Sequence, residues 1–196
     1  FEVIFVDDDS KDNTNNEINK IKYNNFKFLH RKKKRDLTKS CIDGIKISRF
    51  DNIVIMDGDL QHQPSRLLKM INCYEKLKPD LLVGVRKFSN LDGLNFFRKF
   101  ASLLLIFFIN ILLKKKTGDP MSGFFIMKKK NFFKIENKLY KKGFKILCDI
   151  IYSSNDLKII DFEIDFKKRK HNTSKMNLSV LMHIIVMIFK KTFRIF

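Results

Sequence analysis

Cysteine is scarce in this chain. Cys41, Cys73 and Cys148 are odd in number and far apart, which excludes a disulfide framework and a Cys-x-x-Cys zinc site and fits a reducing compartment. The histidines, His30, His62, His171 and His183, lack metal-ligand spacing as well. Proline is limited to three residues, and no internal repeat or low-complexity linker breaks the pattern, so a chain of 196 residues reads as one well-cored domain with appendages. Nothing resembles a secretion signal, and the opening Phe1 already lies in an apolar run, as expected of a segment whose beginning is missing. Apolar runs long enough to cross a bilayer are also lacking: residues 100–113 would make a helix of about 21 Å against a hydrocarbon core of roughly 30 Å. Acidic residues are the minority, 21 against 40 Lys and Arg, for a net charge of +19. That balance attracts polyanions, but no zinc-finger, helix-turn-helix or aromatic RNA-binding signature accompanies it, so nucleic acid is not the expected partner.

What is present is acid at the ends of apolar strands. Asn52-Ile-Val-Ile-Met runs into Asp57-Gly-Asp59-Leu-Gln61-His-Gln-Pro64. Residues two apart on an extended strand share a face, with Cα atoms about 6.6 Å apart, so Asp57 and Asp59 can share one cation. Hard oxygen ligands suit Mg²⁺ or Mn²⁺ carrying a diphosphate, which fills the positions the protein leaves open. A second strand, Phe1 to Val6, ends in Asp7-Asp8-Asp9-Ser10. In open α/β sheets the ligand crevice lies beyond the carboxyl ends of the strands, so these acids are expected to converge there. Residues 10–14 also read as a helix start, with Ser10 or Asp12 as N-cap.

The alternation is clear in the first half: strands at 2–7, 26–30, 52–57 and 80–85, with helices at about 12–23, 37–49 and 65–77. Such a pattern predicts an α/β fold with a mostly parallel sheet and helices on both faces. Further on, a strand is expected at 122–127, a helix from about Lys138 to Ser154, and a strand at 158–166 with one wetter face. The apolar stretch 99–113 carries basic collars, Arg98-Lys99 and Lys114-Lys115-Lys116, and reads either as a buried core helix or as a helix lying in a membrane interface. A comparable stretch, 176–196, forms a basic, apolar C-terminal segment. Two such collared segments favour an anionic membrane surface.

Five motifs in order then match a known family. The chain resembles a family 2 glycosyltransferase of the GT-A, Rossmann-like fold, of the polyprenyl-phosphate (dolichyl-phosphate) mannosyltransferase branch. Val6-Asp-Asp-Asp-Ser-Lys-Asp-Asn-Thr14 is similar to Val-Asp-Asp-Gly-Ser-x-Asp-Gly-Thr, and Asp57-Gly-Asp-Leu-Gln-His-Gln-Pro64 to Asp-Ala-Asp-Leu-Gln-His-Pro-Pro. Gly84-Val-Arg86 resembles a following Gly-x-Arg, Asp119-Pro-Met-Ser-Gly-Phe-Phe125 matches the lipid-phosphate branch, and Arg169 to Lys175 is similar to Arg-x-x-Gly-x-Ser-Lys. Asp9, Asn13, Asp36 and Asn172 stand where glycine is usual; Asn and Asp tolerate left-handed backbone better than most residues. The family's first strand has no counterpart here.

The resemblance implies an inverting transfer of a hexose, foremost mannose from GDP-mannose, to a polyprenyl monophosphate on the cytoplasmic face of the cell membrane, by a protein held peripherally or by segments outside this chain. It implies a catalytic domain over 1–175, including the interfacial helix 99–113, followed by the membrane-proximal segment 176–196. Asp57, Asp59 and Gln61 would hold Mg²⁺ or Mn²⁺. Asp7, Asp8, Arg31, Asp57 and Arg86 would bind the nucleotide-sugar donor. Arg98, Ser102, Ser122, Ser174 and Lys175 would bind the acceptor phosphate, with Asp59, Arg98 and Arg169 in catalysis. A UDP-glucose or other UDP-sugar donor, a saccharide acceptor, and a non-catalytic basic remnant are the alternatives, and homo-oligomer formation is left open.

Overall fold

The computed structural model describes residues 1–59, 61–86, 107, 109–111, 116–143, 145–154, 156–165 and 186. Its strands are β1 (Val3–Asp7), β2 (Phe26–His30), β3 (Asn52–Met56), β4 (Leu81–Arg86), β5 (Phe124–Lys128) and β6 (Ile159–Ile164). The helices are α1 (Thr14–Asn19), α2 (Leu37–Ile47), α3 (Leu67–Leu77), α4 (Lys129–Ile135) and α5 (Ile146–Ser153), with short 3₁₀ turns at Pro64–Arg66 and Glu136–Lys138.

The described strands form two sheets. β1 and β2 pair in parallel, and a second sheet has the order β3-β5-β4-β6. β4 and β6 are parallel, whereas β5 runs antiparallel to both β3 and β4 and separates them. β3, β4 and β6 therefore share one direction, and the strand reversed among them is the one the alternation of the first half could not place. α2 links the sheets: Ile42 and Ile45 join the core that contains Ile53 of β3, while a Cβ on Gly44 would come within 3.0 Å of Val6 in β1.

β5 is the spine of the core because both of its faces are covered. Phe125 and Met127 pack on the side of α2, α4 and α5, and Phe124 and Ile126 pack on the side of α3 with Met70 and Tyr74. β4 repeats the alternation, Leu81 and Val83 on one side and Leu82 on the other. A strand buried on both faces reads as an unbroken apolar run, as Phe124-Phe-Ile-Met127 does. β6, at the sheet edge, keeps Asp161 and Glu163 exposed, the wetter face its partial alternation predicts.

The helix expected over 138–154 is corrected at its front. Only α5 forms there, because Lys141 and Gly143 take left-handed backbone, φ 56° and 98°, which no α-helix accommodates. Asp149 fixes the resulting loop by accepting from the N–H groups of Tyr140 and Lys141, both at 3.1 Å. α4 takes up the apolar residues just after β5, burying Phe132 and Ile135. α1 is shorter than expected and is preceded by Asn13 at the N-cap, with the Asp12 carboxylate accepting from Thr14 N at 3.0 Å.

Phe125 is fully buried at the middle of the spine, so Phe125→Ala is expected to lower unfolding free energy by about 3–5 kcal/mol, a large part of a domain's whole stability. Urea unfolding followed by circular dichroism checks it.

Candidate active site

The carboxyl ends of β1 and β3 open on one side of α2. The Cys41 thiol of that helix is pushed up to about 12 by burial, then by the negative fields of Asp57 and Asp36, against Arg31, with Asp8 adding to them. Cys41 thus feels the charges at the ends of both β1 and β3. At the β1 end, Asp7 is buried and accepts from Ser10 N at 3.1 Å and from His30 Nδ1 at 2.9 Å. Burial alone would raise this carboxyl, but the Ser10 and His30 hydrogen bonds outweigh it and hold it below the usual range. Asp8 pairs with the guanidinium of Arg31 and also accepts from Asp36 N. Arg31 is itself buried and donates to Asp43 at 2.8 Å and Ser40 at 2.9 Å. Arg31 thus braces the turn that carries Asp8.

The glycine replacements have separate explanations. Asp9 adopts φ 60°, so the turn keeps its left-handed residue without glycine. Asp36 is extended and caps α2, accepting from Lys39 N at 3.0 Å and Gly143 N at 3.0 Å. Asn13 has φ −78° and needs no glycine.

The β3 end holds Asp57 and Asp59. Asp57 N donates to Gly123 O at 3.0 Å, and the Asp57 carboxylate lies so close over Gly123 that a Cβ there would overlap it. Asp59 accepts from Gln61 N at 3.1 Å, a short turn that sets the two residues side by side. His62 is buried against the Phe124 ring, centroids 5.3 Å apart. Burial, opposed by Asp59, brings its imidazole down to about 4, with Arg86 pushing the same way.

The far wall comes from β4 and the turn before β5. Arg86 makes a two-point pair with the buried Asp119, Nε to Oδ2 at 2.5 Å and Nη2 to Oδ1 at 3.1 Å. Asp119 also accepts from Met121 N at 3.3 Å. Lys145, just before α5, donates its ammonium to Met121 O at 3.2 Å. Burial lowers the Lys145 pKa, and the carboxylates that oppose this are Asp57 and Asp119. His62 and Lys145 each feel the charges of Arg86 and Asp119, with Asp59 acting on His62 and Asp57 on Lys145.

Two residues differ from their sequence reading. Ser122, expected at the acceptor, is buried, donates to Gly84 O at 2.6 Å and accepts from Phe124 N at 3.1 Å, which locks β5 to β4. Gly84 allows that closeness, since a Cβ there would sit 3.1 Å from Phe124 O. Lys145 was not singled out by spacing; its nearest signal is the Gly-Phe-Lys that precedes an apolar helix. Arg98, Ser102, Arg169, Ser174 and Lys175 lie outside the described residues, as do the segment 176–196 apart from Val186 and most of 99–113. Of that stretch, Ile109 is buried in the core beside Val83 and Phe125, while Phe107 and Ile111 are exposed. Among the described residues no helix is long and apolar enough to cross a membrane.

Residues 1–135 match the family model described as glycosyl transferase family 2. The chain is 34% identical over 90% of its length to a dolichol-phosphate mannosyltransferase of Pyrococcus furiosus, of which it spans 51%, about half. It is 27% identical over 92% of its length to one of Mycosarcoma maydis, of which it spans 63%. Among solved structures, glucosyl-3-phosphoglycerate synthase from Mycobacterium tuberculosis in complex with Mn²⁺, UDP and glucosyl-3-phosphoglycerate superposes with TM-score 0.66 at 13% identity, covering 97% of this chain and 66% of that one. The same synthase with phosphoglyceric acid gives TM-score 0.71 at 11% identity, covering 97% and 68%. The fold is therefore the GT-A glycosyltransferase fold.

Two measurements follow from this geometry. Gly123→Ala is expected to displace the Asp57 carboxylate and remove most ligand binding, while Gly58→Ala, where a Cβ meets open space, leaves folding intact; thermal unfolding and nucleotide titration separate them. His62 is neutral in the folded protein down to about pH 4 but titrates near 6.5 when unfolded. The unfolded state then takes the proton first, so stability falls as pH drops from 6.5 to 4, by up to about 3 kcal/mol. A His62 imidazole titrating near 6.5 by NMR contradicts this.

Proposed function

Since the chain belongs to glycosyl transferase family 2, we propose that it transfers a hexose from a nucleotide-sugar to a polyprenyl monophosphate at an anionic membrane surface, with mannose from GDP-mannose as the donor. The observation that carries this is the acidic end of β3, where the Asp57 carboxylate lies over Gly123 in the turn that also holds Asp119, the partner of Arg86 at the end of β4. The mannosyl and lipid-phosphate reading is supported by the names of two relatives, each a dolichol-phosphate mannosyltransferase.

Carboxylates of Asp57 and Asp59 and the amide of Gln61 are hard oxygen ligands, and they fit a divalent cation, Mg²⁺ or Mn²⁺, that takes its remaining ligands from diphosphate and water. Such a cation, when bound, offsets the charge on the departing diphosphate. The chain's own residues do the rest. Asp7 and Asp8, held by His30, Ser10 and Arg31, present acceptors for the ribose and base of the donor. Arg86, fixed in plane by Asp119, would hold its guanidinium charge near the phosphate oxygens of the donor. His62 stays neutral and adds no charge beside the carboxylates.

The acceptor phosphate has a second pKa near 6 and is largely ionised at pH 7, so a strong general base is not needed. What the site must supply is cationic positioning of one anion beside another. Arg98 and Ser102 are assigned to that phosphate, together with Arg169, Ser174 and Lys175, for the charge and hydroxyl groups they would offer it. Ser122 contributes by fixing the β4–β5 junction.

Asp59→Ala is expected to reduce hexose transfer to polyprenyl phosphate by at least about a thousandfold, with the circular dichroism melt unchanged. Labelled GDP-mannose, UDP-glucose and other donors, supplied in turn with extraction of the lipid product, test the donor. Full turnover in EDTA overturns the metal assignment, and labelling from UDP-glucose alone overturns the mannosyl reading.

A further inference from the structure

We propose that Lys32, Lys33, Lys34, Lys39 and Lys142, on the two loops that meet at the start of α2, form a docking surface for the headgroups of an anionic bilayer, which turns the carboxyl ends of β1 and β2 toward the membrane. The inference deepens the reading above and rests on it for the choice of partner.

Hydrogen bonds hold the two loops together. The run Arg31-Lys-Lys-Lys-Arg35 leaves the carboxyl end of β2 and is pinned to the turn after β1, because Arg31 N donates to Asp7 O at 2.9 Å and the Arg35 guanidinium donates to Asp9 O. The loop before α5 comes from far along the chain. Its Gly143 N donates to the Asp36 carboxylate at 3.0 Å, and Gly143 O accepts from Thr38 N at 2.9 Å. Lys142 thus adjoins one side of this tie and Lys34 lies just before the other, with Lys39 in the first turn of α2. All five lysines are exposed.

The charge on this rim is left uncompensated. Arg31 takes up Asp8 and Asp43, Lys11 takes up Asp9 at 2.6 Å, and Lys46 takes up Glu136 at 2.6 Å. The carboxylates of Asp36 and Asp149 are occupied by backbone N–H groups. Among the described residues the five rim lysines therefore make no ion pair. Folding does not call for three lysines in a row, since Arg31, Arg35 and Asp36 make the bonds that hold the run. In the field of an anionic leaflet such charges act together, each strengthening binding severalfold. Nucleic acid is the poorer fit, because the run holds no aromatic residue to stack on bases. The acceptor proposed above is itself lipid-borne, so the donor turn that the rim borders has to face a bilayer.

The test is co-sedimentation of the chain with phosphatidylcholine vesicles, with and without phosphatidylserine. The rim variants are Lys32→Gln, Lys33→Gln and Lys34→Gln combined, and Lys142→Gln alone. A control of equal charge loss combines Lys22→Gln, Lys76→Gln and Lys158→Gln, exposed residues before the amino ends of β2, β4 and β6; thermal melts check every variant. The rim triple is expected to bind phosphatidylserine vesicles about a hundredfold more weakly and Lys142→Gln about fivefold more weakly, while the control, screened from the surface, stays within about twofold of wild type. GDP affinity of the rim triple equals that of wild type. An equal loss in the rim triple and the control overturns the inference, as does wild-type binding that ignores phosphatidylserine. Displacement from vesicles by inorganic phosphate at the concentration of lipid phosphate also overturns it, in favour of a free-anion site, and a rim triple that loses single-stranded RNA but keeps its vesicles overturns it in favour of nucleic acid. Should the triple fail to fold, unchanged vesicle binding by Lys142→Gln overturns it equally. Wild-type protein that docks through the rim yet transfers no hexose from any nucleotide-sugar overturns the proposed function and leaves the docking surface standing.

Discussion

The structure depends on one close approach, the Asp57 carboxylate lying over Gly123. β5 enters between β3 and β4 against their direction, so the turn that begins it arrives at the same end of the sheet where β3 and β4 finish. A side chain at position 123 would fill the space that the Asp57 carboxylate takes. With glycine there, Asp57 N closes onto Gly123 O at 3.0 Å, and the acidic end of β3 is tied to the turn that carries Asp119. Ser122 ties the same turn to β4 through Gly84 O. Three strands thus end in a fixed relation, and the charges at their ends inherit it.

Those charges are balanced by burial as well as by pairing. A buried carboxylate without a partner is costly, and the structure gives Asp119 the planar guanidinium of Arg86, while Asp8 receives that of Arg31. Removing one partner of such a pair leaves the other exposed to the full desolvation penalty, which is why each pair sits on rigid elements: β4 for Arg86, and α2 with the residue following β2 for Arg31. Of the acids proposed to meet a cation, Asp59 accepts from the backbone N–H of Gln61, and Asp57 is tied through its own N–H to Gly123 O. Carboxylates are the hard oxygen ligands a divalent cation takes, which is the role proposed for these two residues.

Much of this was legible in the sequence because its signals were local. Apolar runs ending in acid marked β1 and β3 and their crevice, and the order of motifs marked the family. β5 was legible as a strand, from Phe124-Phe-Ile-Met127, but its reversed direction and central place were not, since pairing across 70 residues of chain separation leaves no periodic trace; Ile55 in fact pairs with Phe125. Lys145 was invisible for the same reason: only the fold brings its ammonium to Met121 O, in the turn over which the Asp57 carboxylate lies. The helix over 138–154 was misread because Lys141 carries no sequence signal for the left-handed backbone it adopts. Ser122 was assigned to a ligand by motif, whereas its hydroxyl is engaged by main-chain groups on either side.

The glycine replacements show how one motif is kept by different physics at different positions. At Asp9 the left-handed conformation itself is retained, at φ 60°, and a carboxylate that can bond locally is among the side chains that bear it best. At Asp36 the conformation has changed to extended, φ −161°, and the carboxylate has taken on new work, capping α2 and holding Gly143 across the chain. Gly143 at φ 98° is in turn the residue that lets the chain descend to Lys145. The substitution at Asp36 is therefore coupled, through one carboxylate and one glycine, to the segment that carries Lys145. The residue standing where glycine is usual has become a structural tie between the start of α2 and the loop before α5.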